Sequence, residues 1–159
     1  MARIDKLVGG GRGRTHHQGG TWFVDGALPG ELVRVQLTSS KKDYAKATVV
    51  EVLERSPHRD APSCAHRRAG CGGCDWMHLQ PTAQREAKVE IIRESLRRIG
   101  RLEPTIVDDL VVAGGSVSQF GYRTTIRVVG GPDGTPGLRE QASDRVVPVT
   151  SCPVAESKL

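Results

Sequence analysis

Hydrophobic and polar residues alternate along the first third of the chain, which is the pattern of half-buried β-strands. The alternation is clearest over 31–37 and 44–53, and shorter apolar runs occupy 3–8 and 22–24. Turn-forming sequences rich in glycine and charge separate these runs, and 9–14 is predicted as one such turn. Short, closely spaced strands with glycine-rich turns predict a small β-barrel over residues 1–58.

A different pattern follows over 80–99, where apolar residues recur at the spacing of one helix face. Val89, Ile92, Leu96 and Ile99 form this face, and charged residues cover the rest. Pro81 suits the first helical turn. The sequence therefore predicts one long helix, ended by Gly100 in a left-handed conformation.

Beyond Pro104 the pattern returns to that of β-structure. Strands are predicted over 106–112, 122–129 and 137–149, with a glycine-rich turn at 130–134 between the last two. Residues 59–159 are thus expected to form a second domain, small and β-rich, that contains the long helix. The predicted fold class is α+β and mostly β, with an N-terminal OB-like barrel.

The chain has 159 residues and a formal net charge of +5, from 23 lysines and arginines against 18 acidic residues. A basic excess favours a nucleic-acid partner, because phosphate contacts supply most non-specific affinity. No apolar run is long enough to span a membrane, and the N-terminus lacks the apolar core of a signal peptide. These features predict a cytoplasmic protein, in which clustered cysteines indicate metal binding or catalysis before disulfides.

Three cysteines lie close together as Cys64, Cys71 and Cys74. A Cys-x-x-Cys turn brings two sulfur atoms to one side. Gly72 and Gly73 permit that turn and leave two N–H groups free to point at cluster sulfides. A tetrahedral thiolate site needs a fourth ligand, and Cys152 is the cysteine that remains.

Three kinds of site fit these cysteines. The first is an iron–sulfur cluster held by all four. The second is a structural zinc site, for which His66 or His78 also offers a fourth ligand. The third is a redox pair of Cys71 and Cys74, although such a pair belongs at a helix start in a βαβ unit, and the sequence predicts a barrel there.

Two blocks of the chain resemble RNA uracil-5-methyltransferases, a bacterial family that methylates ribosomal or transfer RNA with S-adenosylmethionine. The run from Trp22 to Val35 is similar to the core of a TRAM domain, an RNA-binding β-barrel. The run from Ser56 to Gln80 is similar to the family's iron–sulfur signature. Tyr122-Arg123 and Val149–Pro153 also match, with Cys152 at the position of the fourth cluster ligand.

The resemblance implies a [4Fe–4S] cluster on the four cysteines and structured RNA, ribosomal or transfer, as the partner. It also implies a S-adenosylmethionine-binding catalytic domain that these residues do not supply. The chain is therefore expected to be a monomeric N-terminal portion that binds RNA but does not methylate alone, with no catalytic residue of its own. The expected phosphate contacts are basic residues near turns: Arg12, Arg14, Lys41, Lys42, Lys46, Arg67 and Arg68. Trp22 and Tyr44 are candidates for stacking on bases, but strand aromatics more often pack in the core, which is the expectation for both.

Overall fold

The computed structural model describes residues 1–111, 114–115 and 118–158. The chain divides into two compact units. One comprises Met1–Asp60 and His78–Gly114, and the other comprises Ala61–Met77 and Gly115–Leu159. The division into domains at residue 58 stays a prediction, and each unit is described by itself below.

The first unit is built on a six-stranded sheet in the order β1-β5-β6-β4-β3-β2. Its strands are β1 (Ala2–Arg3), β2 (Lys6–Val8), β3 (Arg12–His17), β4 (Gly20–Asp25), β5 (Leu32–Ser40) and β6 (Tyr44–Glu54). β1 and β2 lie at opposite edges of the sheet, yet only Ile4 and Asp5 separate them in the chain. The sheet must therefore curl so that its edges approach each other, as the predicted barrel requires.

The interior of this curled sheet holds small and branched apolar side chains. Ile4, Val24, Ala27, Val33 and Ala47 form the buried cluster, and Trp22 packs against it. Register shifts between β5 and β6 mark irregularities in that ladder, which increase the local twist of the strands.

Strand β3 was not predicted, because its sequence was interpreted as a charged turn through Arg14. The turn ends earlier, with Gly10 and Gly11 at positive φ, and Arg12–His17 then pairs with β4. A Cβ atom at Gly13 would lie 2.8 Å from the Ile4 side chain. Glycine at this position thus leaves room for the Ile4 side chain, and it does not mark a turn.

A buried ion pair joins the segment that follows β6 to the residue that precedes β5. The Glu31 side chain is fully buried, and it accepts hydrogen bonds from Arg59 Nε at 2.5 Å and Arg59 Nη2 at 2.7 Å. The N–H groups of Leu28 and Ser56 donate to the same carboxylate at 2.9 and 3.2 Å. Each carboxylate oxygen therefore has two donors, which offsets the cost of burying the charge.

Two helices complete the first unit: α2 (Pro81–Arg98) and α3 (Pro104–Leu110). The long helix was predicted, with proline in its first turn. Its expected left-handed end at Gly100 is wrong, because the residue at positive φ is Arg101. A Cβ at Gly100 would lie 2.6 Å from the Leu96 carbonyl oxygen, which explains the glycine.

The predicted strand over 106–112 is wrong where the structure describes it, since Ile106 to Leu110 lie in α3; residue 112 lies outside the described residues. Pro104 begins the helix, and Val107 is fully buried. Arg93 donates to the Val111 carbonyl at 2.9 Å, and Arg97 pairs with Asp108 at 2.5 Å. These contacts with α2 outweigh the strand preference of β-branched residues.

The second unit contains α1 (Ala65–Arg68) and a three-stranded antiparallel sheet in the order β7-β8-β9. Its strands are β7 (Val129–Gly130), β8 (Pro136–Arg139) and β9 (Val146–Pro148), and the predicted turn joins the first two. Of the predicted strand over 122–129, only Val129 lies in a strand, and Arg123 forms a single isolated bridge with Ala155. The N–H groups of Gly121 and Arg123 bond instead to Pro153 and Val154.

Among the described residues, α2 is the longest helix, and none is both long and apolar enough to cross a membrane.

Candidate functional site

All four cysteines line one small cavity in the second unit. Cys71 is buried, the other three are half-buried, and none forms a disulfide. Apolar side chains close the cavity, namely Met77, Leu138, Val149, Pro153 and Val154. Four free thiols thus line one cavity with largely apolar walls, although Cys64 and Cys152 are 88 positions apart in the chain (152 − 64).

Backbone hydrogen bonds hold the first three cysteines in place. Cys64 precedes α1, and the N–H of Arg68 donates to its carbonyl at 3.2 Å. The chain then turns back, so that the N–H of Cys71 donates to His66 at 2.9 Å and that of Gly72 to Arg139 at 2.9 Å. The cysteine loop is therefore attached to the end of β8.

The glycines between Cys71 and Cys74 permit close packing. A Cβ at Gly72 would lie 3.0 Å from the backbone oxygen of Arg139, and one at Gly73 would lie 3.5 Å from Cys71 Sγ. The Gly73 N–H points at Cys71 Sγ, 3.4 Å away. The expectation that both glycine N–H groups are free is wrong, because that of Gly72 bonds to β8.

Arg123 connects the cysteine loop to the segment that carries Cys152. Its side chain donates to the Gly73 carbonyl at 3.0 Å, and its own N–H and carbonyl bond to Val154 and Glu156. This residue was not among the sequence-predicted site residues. Its role is visible only in the folded chain, where its segment lies beside the cysteine cavity.

The thiols also affect each other electrostatically. Burial raises the pKa of the Cys74 thiol, the positive charge of Arg123 acts in the opposite direction, and the neighbouring Cys152, Cys71 and Cys64 raise it further. Four thiolates would repel one another in this cavity unless a cation neutralised them. Within the described ranges, no three His, Cys, Asp or Glu residues are grouped so as to hold a single metal ion.

The seven predicted phosphate contacts are divided between the two units. Arg67 donates to the Cys74 carbonyl and to Gln141, each at 2.8 Å, and Arg68 donates to the Pro62 carbonyl at 2.6 Å. Both belong to the second unit, where Arg67 supports the cysteine loop. The other five lie on the curled sheet of the first unit.

Those five differ in their environments. Arg12 pairs with Asp25 at 2.8 Å, and Lys41 and Lys42 are exposed at the turn between β5 and β6. The register places Arg14, Phe23 and Lys46 side by side across β3, β4 and β6. This row joins two cations and an aromatic ring that are far apart in sequence.

Of the two aromatic residues expected in the core, Trp22 packs against the buried cluster of the sheet. Tyr44 instead forms an edge-to-face pair with Phe23. Both of those rings line a cavity beside α2.

Comparison with known proteins assigns part of this architecture. Residues 1–50 match the TRAM domain. The chain resembles the "23S rRNA (uracil(1939)-C(5))-methyltransferase RlmD" of Photorhabdus laumondii, at 36% identity over 98% of this chain and 35% of the relative. The same enzyme of Chromohalobacter salexigens is 41% identical, over 98% of this chain and 32% of the relative. An "Uncharacterized RNA methyltransferase" of Nitratidesulfovibrio vulgaris is 36% identical over 94% of this chain.

A solved structure supports the fold. The Pyrococcus abyssi tRNA (uracil-54, C5)-methyltransferase, in complex with S-adenosyl-L-homocysteine, superposes on 99% of this chain and 33% of its own length. The TM-score is 0.63 and the identity 24%. The chain therefore has a TRAM match over residues 1–50, is similar along nearly all its length to RNA uracil-C5-methyltransferases, and spans about a third of their length.

Proposed function

We propose that this chain is the RNA-binding and [4Fe–4S]-binding portion of a S-adenosylmethionine-dependent RNA uracil-C5-methyltransferase. Residues 1–58 act as the TRAM barrel, and residues 59–159 carry the cluster. Methyl transfer belongs to the part of the relatives' length that this chain does not match. The chain's own residues bind RNA and contribute no catalytic group.

The observation that carries the cluster assignment is the cavity lined by Cys64, Cys71, Cys74 and Cys152. A four-iron cluster has one iron at each ligated corner, so its cysteines must surround a volume and need not meet at a point. In support of this, all four cysteines line the cavity, which also has apolar walls, a sulfur-directed N–H at Gly73 and the charge of Arg123 beside it. Hydrogen bonds and cationic neighbours of this kind stabilise a negatively charged cluster.

The role that fits this site is structural. When bound, the cluster supplies iron–thiolate bonds that join the loop from Cys64 to Cys74 with the segment ending at Cys152. Hydrogen bonds support the same loop without the cluster. Arg123 donates to the Gly73 carbonyl, and Arg67 donates to the Cys74 carbonyl and to Gln141. These bonds keep the second unit rigid. The curled sheet of the first unit binds structured RNA, and the chain acts as a monomer in the cytoplasm.

The cluster is tested by anaerobic purification with iron, zinc and sulfide analysis and an absorption spectrum. We expect about four irons and four sulfides per chain in a brown protein. Cys152→Ser should lose iron to the same extent as Cys74→Ser, whereas Ser157→Ala, at an exposed position outside the cavity lining, should retain it. Full iron content in Cys152→Ser would refute the four-cysteine assignment.

Two other results would replace the proposal. About one zinc per chain in a colourless protein would make this unit a zinc module. A metal-free protein with a reversible Cys71–Cys74 dithiol–disulfide couple would make it a redox protein.

A further inference from the structure

A cavity of about 440 Å³ lies in the first unit, where the face of β3, β4 and β6 meets α2. Arg14 and Phe23 line it from β3 and β4, Tyr44 from β6, and Glu94 and Arg98 from α2. Its volume is within the range of about 300–1,000 Å³ typical of small-ligand pockets. Residues 84 positions apart (98 − 14) meet here.

Charged groups of both signs line this cavity, with the cations Arg14 and Arg98 against the carboxylates Glu94 and Asp43. Glu94 accepts a hydrogen bond from Lys6 Nζ at 2.5 Å. That bond lowers the pKa of Glu94 and outweighs the effect of burial, and the positive charges of Lys6, Arg98 and Arg14 lower the pKa further. The cavity also has Asp43 at its exposed rim.

Lys6 pairs with the Glu94 carboxylate and offsets its charge, while Arg14 and Arg98 line the same cavity. Among the residues that the structure describes, the guanidinium groups of Arg14 and Arg98 donate no hydrogen bond within the protein. Guanidinium groups that donate no hydrogen bond within the protein are well suited to bind the oxygens of a phosphate.

Two aromatic rings also line the cavity. Phe23 and Tyr44 pair edge to face, with ring centroids 5.8 Å apart and an interplanar angle of 70°. Both side chains are half-buried, although Tyr44 was expected in the core. Nucleic-acid bases stack on such rings without regard to sequence.

We propose that this cavity binds one unpaired RNA nucleotide, with its phosphate at Arg14 and Arg98 and its base against Phe23 and Tyr44. The inference rests on the proposed RNA binding and specifies the form of RNA that this site recognises. A base inside a duplex is stacked on both faces and paired along one edge, so it cannot enter the cavity. The site thus distinguishes unpaired from paired RNA.

The test measures binding of the whole chain to two labelled probes by fluorescence anisotropy at one fixed salt concentration. One probe is a single-stranded oligoribonucleotide of about ten nucleotides, and the other is a duplex of the same length. We expect Tyr44→Leu to weaken single-strand binding by about fivefold or more and to leave duplex binding unchanged. Tyr44→Phe keeps the ring and should bind both probes like the unaltered chain.

The phosphate end of the site has a matched control on the same helix. Arg98→Gln should weaken single-strand binding more than duplex binding. Arg85 lies nine residues before Glu94, two and a half helical turns away and so on the opposite face of α2. Arg85→Gln should change both affinities by the same small factor.

The outcomes separate the inference from the proposed function. If the unaltered chain binds neither probe, both fail. If it binds RNA while Tyr44→Leu and Arg98→Gln behave like Arg85→Gln, the nucleotide site is refuted and RNA binding stands.

Competition checks the chemistry of the ligand. Uridine monophosphate should displace the single strand at a lower concentration than inorganic phosphate, because only the nucleotide offers a base to the aromatic pair. Equal potency of the two, or equal potency of a glutamate-rich peptide, would overturn the assignment.

Discussion

Replacement of Arg59 by methionine should destabilise the first unit strongly, because it leaves the carboxylate of Glu31 buried without its cation. The Glu31 side chain is 0% exposed and that of Arg59 is 16% exposed, so water cannot substitute for the lost partner. Breaking a buried ion pair from one side costs about 3–5 kcal/mol. That is a large share of the roughly 5–15 kcal/mol by which a domain is stable.

The pKa of Glu31 determines how the stability loss in Arg59→Met should change with pH. Burial raises the pKa of Glu31, but the hydrogen bonds from Arg59, Leu28 and Ser56 and the charge of Arg59 outweigh it, so the net shift is downward. A lowered pKa stabilises the fold above the unfolded-state value of about 4.3, and this stabilisation is lost as the pH falls through the folded-state pKa. In Arg59→Met only burial and the two N–H donors remain, so the pKa of Glu31 should be higher than in the unaltered chain. Acid should then protonate Glu31 at a higher pH, and the loss in free energy of unfolding should become smaller.

Urea unfolding followed by far-UV circular dichroism at pH 7 and pH 5 measures both effects. Arg34→Met is the control, because Arg34 forms a comparable pair with Glu51 in which both side chains are about half exposed. Exposed pairs contribute about 0–1 kcal/mol. A loss in Arg59→Met no larger than that in Arg34→Met, or a loss that grows on acidification, would refute the reasoning.

Three further results are expected. Gly72→Ala should lower iron retention, since its Cβ would meet backbone atoms of Arg139 and Gln141 at 3.0 Å, whereas Gly130→Ala has open space around its Cβ and should retain iron. Gly13→Ala should lower the free energy of unfolding by about 1–3 kcal/mol through its contact with Ile4, as measured by urea titration; an unchanged midpoint would contradict the close packing. RNA affinity should fall steeply with salt, as a linear plot of log affinity against log salt concentration, and a flat plot would argue against phosphate contacts.

Local patterns were enough to predict β4, β5, β6 and the long helix, whereas the single strand predicted over 3–8 is in fact β1 and β2, at opposite edges of the sheet. β5 and β6 alternate in hydrophobicity, and turn residues bound them, so each strand is specified by its own residues. Proline in the first turn and an apolar face at helical spacing did the same for α2. The apolar face did not predict burial, however, since Ile92 and Ile99 are 49% and 74% exposed.

Segments whose conformation depends on distant partners were predicted poorly. β3 consists of glycine, arginine, threonine and histidine, most of them weak strand formers, and it becomes a strand because β4 and β2 pair with it. Ile106 and Val107 favour strands locally, yet they are helical because α3 packs and bonds against α2. In both cases tertiary contacts override propensity.

The same division holds for the candidate sites. The sequence by itself determined that four cysteines, a Gly-Gly pair between Cys71 and Cys74 and a basic excess are present, and the cysteine spacing was enough to predict a thiolate site. Only the tertiary structure decided that Cys152 reaches the cavity of the other three, that Arg67 supports their loop, and that Arg14 and Arg98 meet beside Tyr44. The physical reason is that residue type and local spacing are properties of neighbouring positions, whereas a cavity is formed by side chains from separate segments that only folding brings together.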